Sequence, residues 1–117
     1  METIRTTYLG ELRTEAVHLQ SGTRLITDAP VDNQGKGESF SPTDLLATAL
    51  GSCMLTIMGI AARTHAISLE GTTMRITKYM VSEPRRVKEI LVEFDFPEMN
   101  FTEKQKTILE HAARTCP

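Results

Sequence analysis

Apolar positions along this chain recur with two different periods, and the longest helical run lies from Ser41 to His65, S-P-T-D-L-L-A-T-A-L-G-S-C-M-L-T-I-M-G-I-A-A-R-T-H. Leu46, Leu50, Cys53, Ile57 and Ile60 follow one another at alternating spacings of four and three, which is one face of a helix. Ser41 is a suitable N-cap, Pro42 suits the first helical position, and Asp44 brings a carboxylate to the free N–H groups of the first turn. Leu45, Ala49, Met54, Met58, Ala61 and Ala62 spread the apolar set around most of the circumference, which predicts a buried helix. Roughly 24 residues at ~1.5 Å each make about 36 Å, more than one compact domain of this length needs. Two readings follow. Two copies of the chain share the helix in a common interior, Gly51 and Gly59 letting another backbone approach, or it is an ordinary core helix with tolerated glycines.

On either side the period drops to two. Thr3 to Tyr8, Leu12 to Leu19 and Thr23 to Thr27 are rich in β-branched and aromatic residues, with turns at Leu9-Gly10-Glu11 and Ser21-Gly22; they predict a three-stranded meander. Residues 28 to 40, with proline, two glycines and few large apolar residues, predict a loop that delivers the chain to the helix. Ile67 to Val81 predicts a strand with Leu69, Met74, Ile76 and Tyr79 as its apolar members, and Glu83-Pro84-Arg85 breaks it. Val87 to Phe96 predicts the antiparallel partner, with Val87, Ile90, Val92, Phe94 and Phe96 on one side after a slip near Lys88-Glu89. Thr102 then caps a second helix with Ile108, Leu109 and Ala112 on its buried side, ending near Arg114 because Pro117 disfavours helical geometry at Cys116.

Composition narrows the partners. The 117 residues suit one domain, and 40% hydrophobic with 24% charged is ordinary for a soluble protein. A formal charge of −2 leaves no basic footprint, so nucleic acid is not expected as a partner. The longest nearly uncharged run, Leu45 to Ala62, is interior and carries Thr, Ser and Gly, so neither a signal peptide nor a membrane span is expected and a cytoplasmic location follows by default.

The chemistry rests on two cysteines, Cys53 and Cys116. With no C-x-x-C motif and three scattered histidines, His18, His65 and His111, neither a metal nor a cofactor is expected. Spacing alone leaves two alternatives: buried cysteines acting as small hydrophobes, or a reactive thiol with a resolving partner, in which a thiolate becomes sulfenic acid and condenses to a disulfide. Met54 and Met58 read first as core, and Arg85-Arg86 as a solvated turn.

The stretch S-P-T-D-L-L-A-T-A-L-G-S-C-M, Ser41 to Met54, together with T-C-P at Thr115 to Pro117, resembles the two signatures of the OsmC/Ohr family of osmotically inducible and organic-hydroperoxide-resistance proteins, and the order of elements agrees along nearly the whole chain. The resemblance implies one α+β domain over residues 1–117, folded as an intertwined homodimer with antiparallel sheets wrapped around long central helices. It implies an organic hydroperoxide substrate, Cys53 as the peroxidatic and Cys116 as the resolving cysteine, joined within one subunit on oxidation, and a dithiol or lipoylated protein as reductant. This sequence departs from the family at three points. Thr43 stands where the hydroperoxide reductases have a glutamate after the helix-opening proline, and Asp44 comes one residue later; Asp44 reads first as a helix N-terminal carboxylate and second as a group orienting a site arginine. No arginine lies in an unmistakable matching motif for the cation that stabilises the thiolate; Arg13 is the first candidate, with Arg24 and Lys36 behind it. Family members also continue past the C-P with a helix turn and a strand, so the expectation is either that this sequence is cut there or that the protein is short. Two functions are therefore expected in order: a thiol-dependent hydroperoxide reductase, and a non-enzymatic dimer binding a small apolar or electrophilic ligand.

Overall fold

Three polar-apolar alternations separated by turn residues form the meander that the pattern predicts. The computed structural model describes residues 1–97 and 100–117, and its elements run β1 (Ile4–Gly10), β2 (Arg13–His18), β3 (Arg24–Asp28), α1 (Pro42–Thr64), β4 (Thr73–Val81), β5 (Arg86–Asp95) and α2 (Glu103–Arg114). The described chain packs as two units, residues 1–45 and 46–117.

In the first unit, β1, β2 and β3 pair antiparallel in sequence order. Glu11 and Leu12 turn the first hairpin with φ of 54° and 61°, the double left-handed conformation that matches the twist of two flanking strands. The ladder sets Arg13 opposite Asp28 and Thr14 opposite Thr27, so each pair shares a face of the sheet. The segment after β3 is a loop as expected, but a folded one. It makes one 3-10 turn at Val31–Asn33, and its ends are tied by Asp28 N–H to Phe40 O at 2.9 Å and Gly37 N–H to Ala29 O at 3.1 Å. At its end Ser41 and Asp44 form a reciprocal cap: Asp44 N–H donates to Ser41 Oγ at 3.1 Å, and Ser41 N–H donates to Asp44 Oδ2 at 3.0 Å.

In the second unit, β4 and β5 form an antiparallel hairpin. The register slips between Tyr79, opposite Glu89, and Met80, opposite Val87, which leaves Lys88 as the extra residue at the expected place. The strand expected from Ile67 begins only at Thr73. Thr72 N–H closes a turn onto Leu69 O at 3.0 Å, with Gly71 at φ +87°, and Ile67 and Leu69 pack on the helices instead of entering the sheet. The core consists of Met58 and Ala62 of α1 against Leu109 and Ala112 of α2, flanked by Leu55, Ile57, Phe94 and Phe101.

The buried ridge of α1 differs from the expected one. Ala47, Gly51, Met58 and Ala62 are buried, whereas Leu46 and Ile60, at the ends of the predicted stripe, remain 55% and 59% exposed. At Gly51 the sheet comes close: a Cβ there would lie 2.6 Å from Ile76 Cδ1 of β4. Gly51 therefore makes room for a side chain of its own subunit, while a Cβ at Gly59 would meet nothing within 4 Å. By length and composition alone α1 would pass for a membrane span. It packs against α2 and β4 along one side.

Candidate functional site

Helix α2 carries Cys116 to its neighbour. Thr102 caps α2 by accepting from Gln105 N–H while the Gln105 side chain accepts from Thr102 N–H, a complete capping box. From that start Leu109 and Ala112 fall on the face that meets Met58 and Ala62. The helix stops when Thr115 turns back, its N–H and its hydroxyl both donating to Ala112 O at 3.0 Å and 2.8 Å. Cys116 follows on non-helical backbone, half-buried and free, as Cys53 is in α1.

These two cysteines, far apart in sequence, meet. The Cys116 thiol is held above its ordinary range, first by a hydrogen bond to Cys53, then by burial, then by the Coulombic effect of Cys53. Two free thiols in contact are the arrangement from which a disulfide forms.

Beside the pair in the chain, Met54 and Met58 of α1, Phe94 and Phe96, and Phe101, Leu109 and Ala113 line a cavity of about 320 Å³, with Lys106, Glu110 and Arg114 also on its walls. Phe96 and Phe101 meet edge to face at 5.3 Å between centroids. Met58 thus serves both the core and a cavity wall, buried in the cluster and still bordering the opening, while Met54 lines the cavity. Such a cavity suits an apolar guest. Among the described residues no group of three or more His, Cys, Asp or Glu converges in a way that would hold a metal ion.

The first unit contains the leading cation candidate. Arg13 donates from Nη2 to Asp28 Oδ2 at 3.2 Å and lies 3.3 Å from Glu38 Oε2. Asp28 is fully buried, and the same Oδ2 accepts Glu38 N–H at 2.9 Å. That backbone bond, ahead of the Arg13 contacts, holds the Asp28 carboxyl below the usual carboxylate range even though burial opposes it; the bond to Asp28 in turn raises Arg13. Arg24 is an exposed strand cation paired with Glu15 at 2.7 Å, and Lys36 adds a favourable charge to Asp28. The sequence reading missed Asp28 and Glu38 because a loop boundary gives no sign of a buried carboxylate. The available signal was the register of the meander, which sets residue 28 opposite residue 13.

Comparison with known proteins agrees with this architecture. The OsmC-like protein family matches residues 35–117, a stretch that includes both cysteines. A crystal structure from Psychrobacter arcticus, described as an osmotic stress induced and detoxification response protein, is 56% identical with a TM-score of 0.95, over 100% of this chain and 85% of that one. An organic hydroperoxide resistance protein from Legionella pneumophila shares the fold at 18% identity and a TM-score of 0.69, over 100% of this chain and 86% of that one. One from Vibrio cholerae, with captopril bound in one of its active sites, does so at 14% and 0.72, over 100% and 81%. None of the curated proteins matches. The expected α+β class is borne out, and the chain belongs to the OsmC-like protein family.

Proposed function

We propose that this protein is a thiol-dependent organic hydroperoxide reductase. The observation that supports it most directly is the contact between two free thiols, Cys53 and Cys116, whose hydrogen bond holds the Cys116 thiol above its ordinary range. The Cys53 thiolate attacks the terminal peroxide oxygen, the O–O bond breaks, and with one proton the leaving alkoxide departs as the alcohol while Cys53 becomes a sulfenic acid. The Cys116 sulfur then attacks the sulfenic sulfur, water leaves, and a Cys53–Cys116 disulfide forms. A dithiol, free or on a lipoylated protein, restores both thiols and is itself oxidised to its disulfide. Arg13 is the proposed cation for the thiolate, and Asp44, engaged with Ser41, the proposed helix-opening carboxylate. The working unit is a homodimer in a single-domain arrangement, supported by apolar residues that one chain leaves open, and both free cysteines suit the reducing cytoplasm.

The apolar cavity favours a second reading, a dimer that binds a small apolar or electrophilic ligand without turnover. Turnover distinguishes the two. With a dithiol reductant the protein is expected to reduce cumene hydroperoxide faster than hydrogen peroxide, and Cys53→Ser to abolish both. No turnover, with no Cys53–Cys116 peptide in the parent and no sulfenic acid on Cys53 in Cys116→Ser, replaces the enzyme with the binding protein.

A further inference from the structure

We propose that Met54 is a site of oxidative modification: its thioether takes oxygen from an organic hydroperoxide seated in the apolar cavity, and the resulting sulfoxide weakens binding of the next apolar guest. The proposal rests on the reading of organic hydroperoxides as this protein's substrates. Two methionines of α1 border the cavity, four residues apart and so on one face of the helix. They are placed differently. Met58 is 3% exposed and belongs to the core cluster, whereas Met54 is half-buried. Around them stand Phe94, Phe96, Phe101 and Leu109, a wall that gathers an apolar molecule. At about 320 Å³ the cavity lies at the small end of ligand sites, which run roughly 300–1,000 Å³, and suits a single aryl or alkyl hydroperoxide. Met54 directly follows Cys53, so α1 carries the thioether on the same turn as the proposed attacking thiol.

The step balances with the hydroperoxide as sole co-reactant. A lone pair on Met54 Sδ attacks the terminal peroxide oxygen, the O–O bond breaks, and the hydroxyl proton passes to the departing alkoxide, which leaves as the alcohol. Sulfur is oxidised by two electrons and the hydroperoxide is reduced by two. A thioether has no proton to lose, so unlike a thiol it needs no cation beside it. Its rate depends on access and on the local concentration of oxidant, which an apolar cavity raises for an organic hydroperoxide and not for hydrogen peroxide. The product places an S–O dipole in an apolar wall, where covering it with an apolar guest leaves a polar atom without a hydrogen-bond partner. Binding of the next guest therefore weakens while both cysteines are unchanged. A methionine sulfoxide reductase is the class of enzyme that reverses the modification.

The test uses the full chain as Cys53→Ser, so that its outcome does not depend on turnover and stays separate from the test of the reductase reading; should that variant not fold, Cys53→Ala takes its place. Oxidation by cumene hydroperoxide and by hydrogen peroxide is compared, the added oxygen being located by peptide mass spectrometry with the fully exposed Met1 as internal reference. The ratio of Met54 to Met1 oxidation is expected to be about tenfold higher with cumene hydroperoxide than with hydrogen peroxide. Cumyl alcohol, which has the shape of the guest and no oxidising bond, is expected to protect Met54 and not Met1. An equal ratio with the two peroxides, no protection, or oxidation of Met58 as fast as that of Met54 overturns the site. Binding of cumyl alcohol, followed by ligand-observed NMR, then tests the consequence. Oxidised protein is expected to bind about tenfold more weakly than unoxidised protein. Met54→Leu added to Cys53→Ser keeps a similar volume without the sulfur, and its affinity is expected to survive the same exposure. Equal weakening in both proteins, or in neither, overturns the effect assigned to the sulfoxide.

Discussion

A side chain at Gly35 would bring its Cβ within 1.8 Å of the Ala29 carbonyl oxygen, and a backbone atom cannot swing aside as a flexible side chain does. The loop that delivers Glu38 N–H to Asp28 therefore depends on this glycine. Gly35→Ala is expected to cost about 1–3 kcal/mol in thermal or urea unfolding, the range for forced overpacking. The neighbouring ion pair predicts a pH effect whose sign follows from Asp28. Its carboxyl lies below the ordinary range in the folded chain, so its contribution to stability is complete above the unfolded value and is lost as pH falls through the folded one. The melting temperature of the parent should therefore drop more steeply than that of Asp28→Asn below the usual carboxylate range, and parallel curves would refute the assignment. At this scale the sequence was legible where chemistry is local, as for Ser41 capping through Asp44. It was not legible at Asp28, whose burial depends on a loop folding back over a strand end.

Among the elements, the most accurate reading concerned α2, because its signals are confined to a dozen residues: a threonine cap, an apolar pair one turn from an alanine, and a proline beyond the end. The strand expected from Ile67 failed for the complementary reason. Alternation cannot distinguish an apolar residue in a sheet from one in a turn that covers a helix, and Ile67 and Leu69 do the latter. Two substitutions separate the helix's stability from its docking. Thr102→Ala removes half of the capping box and is expected to cost about 1 kcal/mol in unfolding while leaving Cys53–Cys116 disulfide formation intact. Leu109→Ala empties a buried position against α1 and is expected to cost about 2–5 kcal/mol, with a lower disulfide yield per equivalent of organic hydroperoxide. An unchanged yield in Leu109→Ala would mean that docking of α2 does not bring the thiols together.

For the whole molecule, the α1 surface was legible in kind and misplaced in angle. Apolar residues around most of the circumference predicted burial, yet a single chain covers the ridge of Ala47, Gly51, Met58 and Ala62 and leaves Leu46 and Ile60 more than half exposed. The sequence could not separate the two faces, since both are apolar and only the approach of β4 selects Gly51 for the inner one. Burying a leucine or isoleucine is worth roughly 1.5–3 kcal/mol, so the two left open along this helix make a second copy of this chain the expected cover. The parent is therefore expected to have a dimeric mass by light scattering at micromolar concentration, and Ile60→Glu to shift it toward the monomer. Gly59 supplies an independent sign. Within one chain nothing stands in the way of a Cβ there, so Gly59→Ala alone would stabilise the helix by roughly 1 kcal/mol. If a partner backbone approaches at that point, the same change weakens the dimer. A monomeric parent that keeps native circular dichroism, together with a more stable Gly59→Ala variant, would establish that α1 carries its apolar face uncovered and would remove the homodimer from the proposed function.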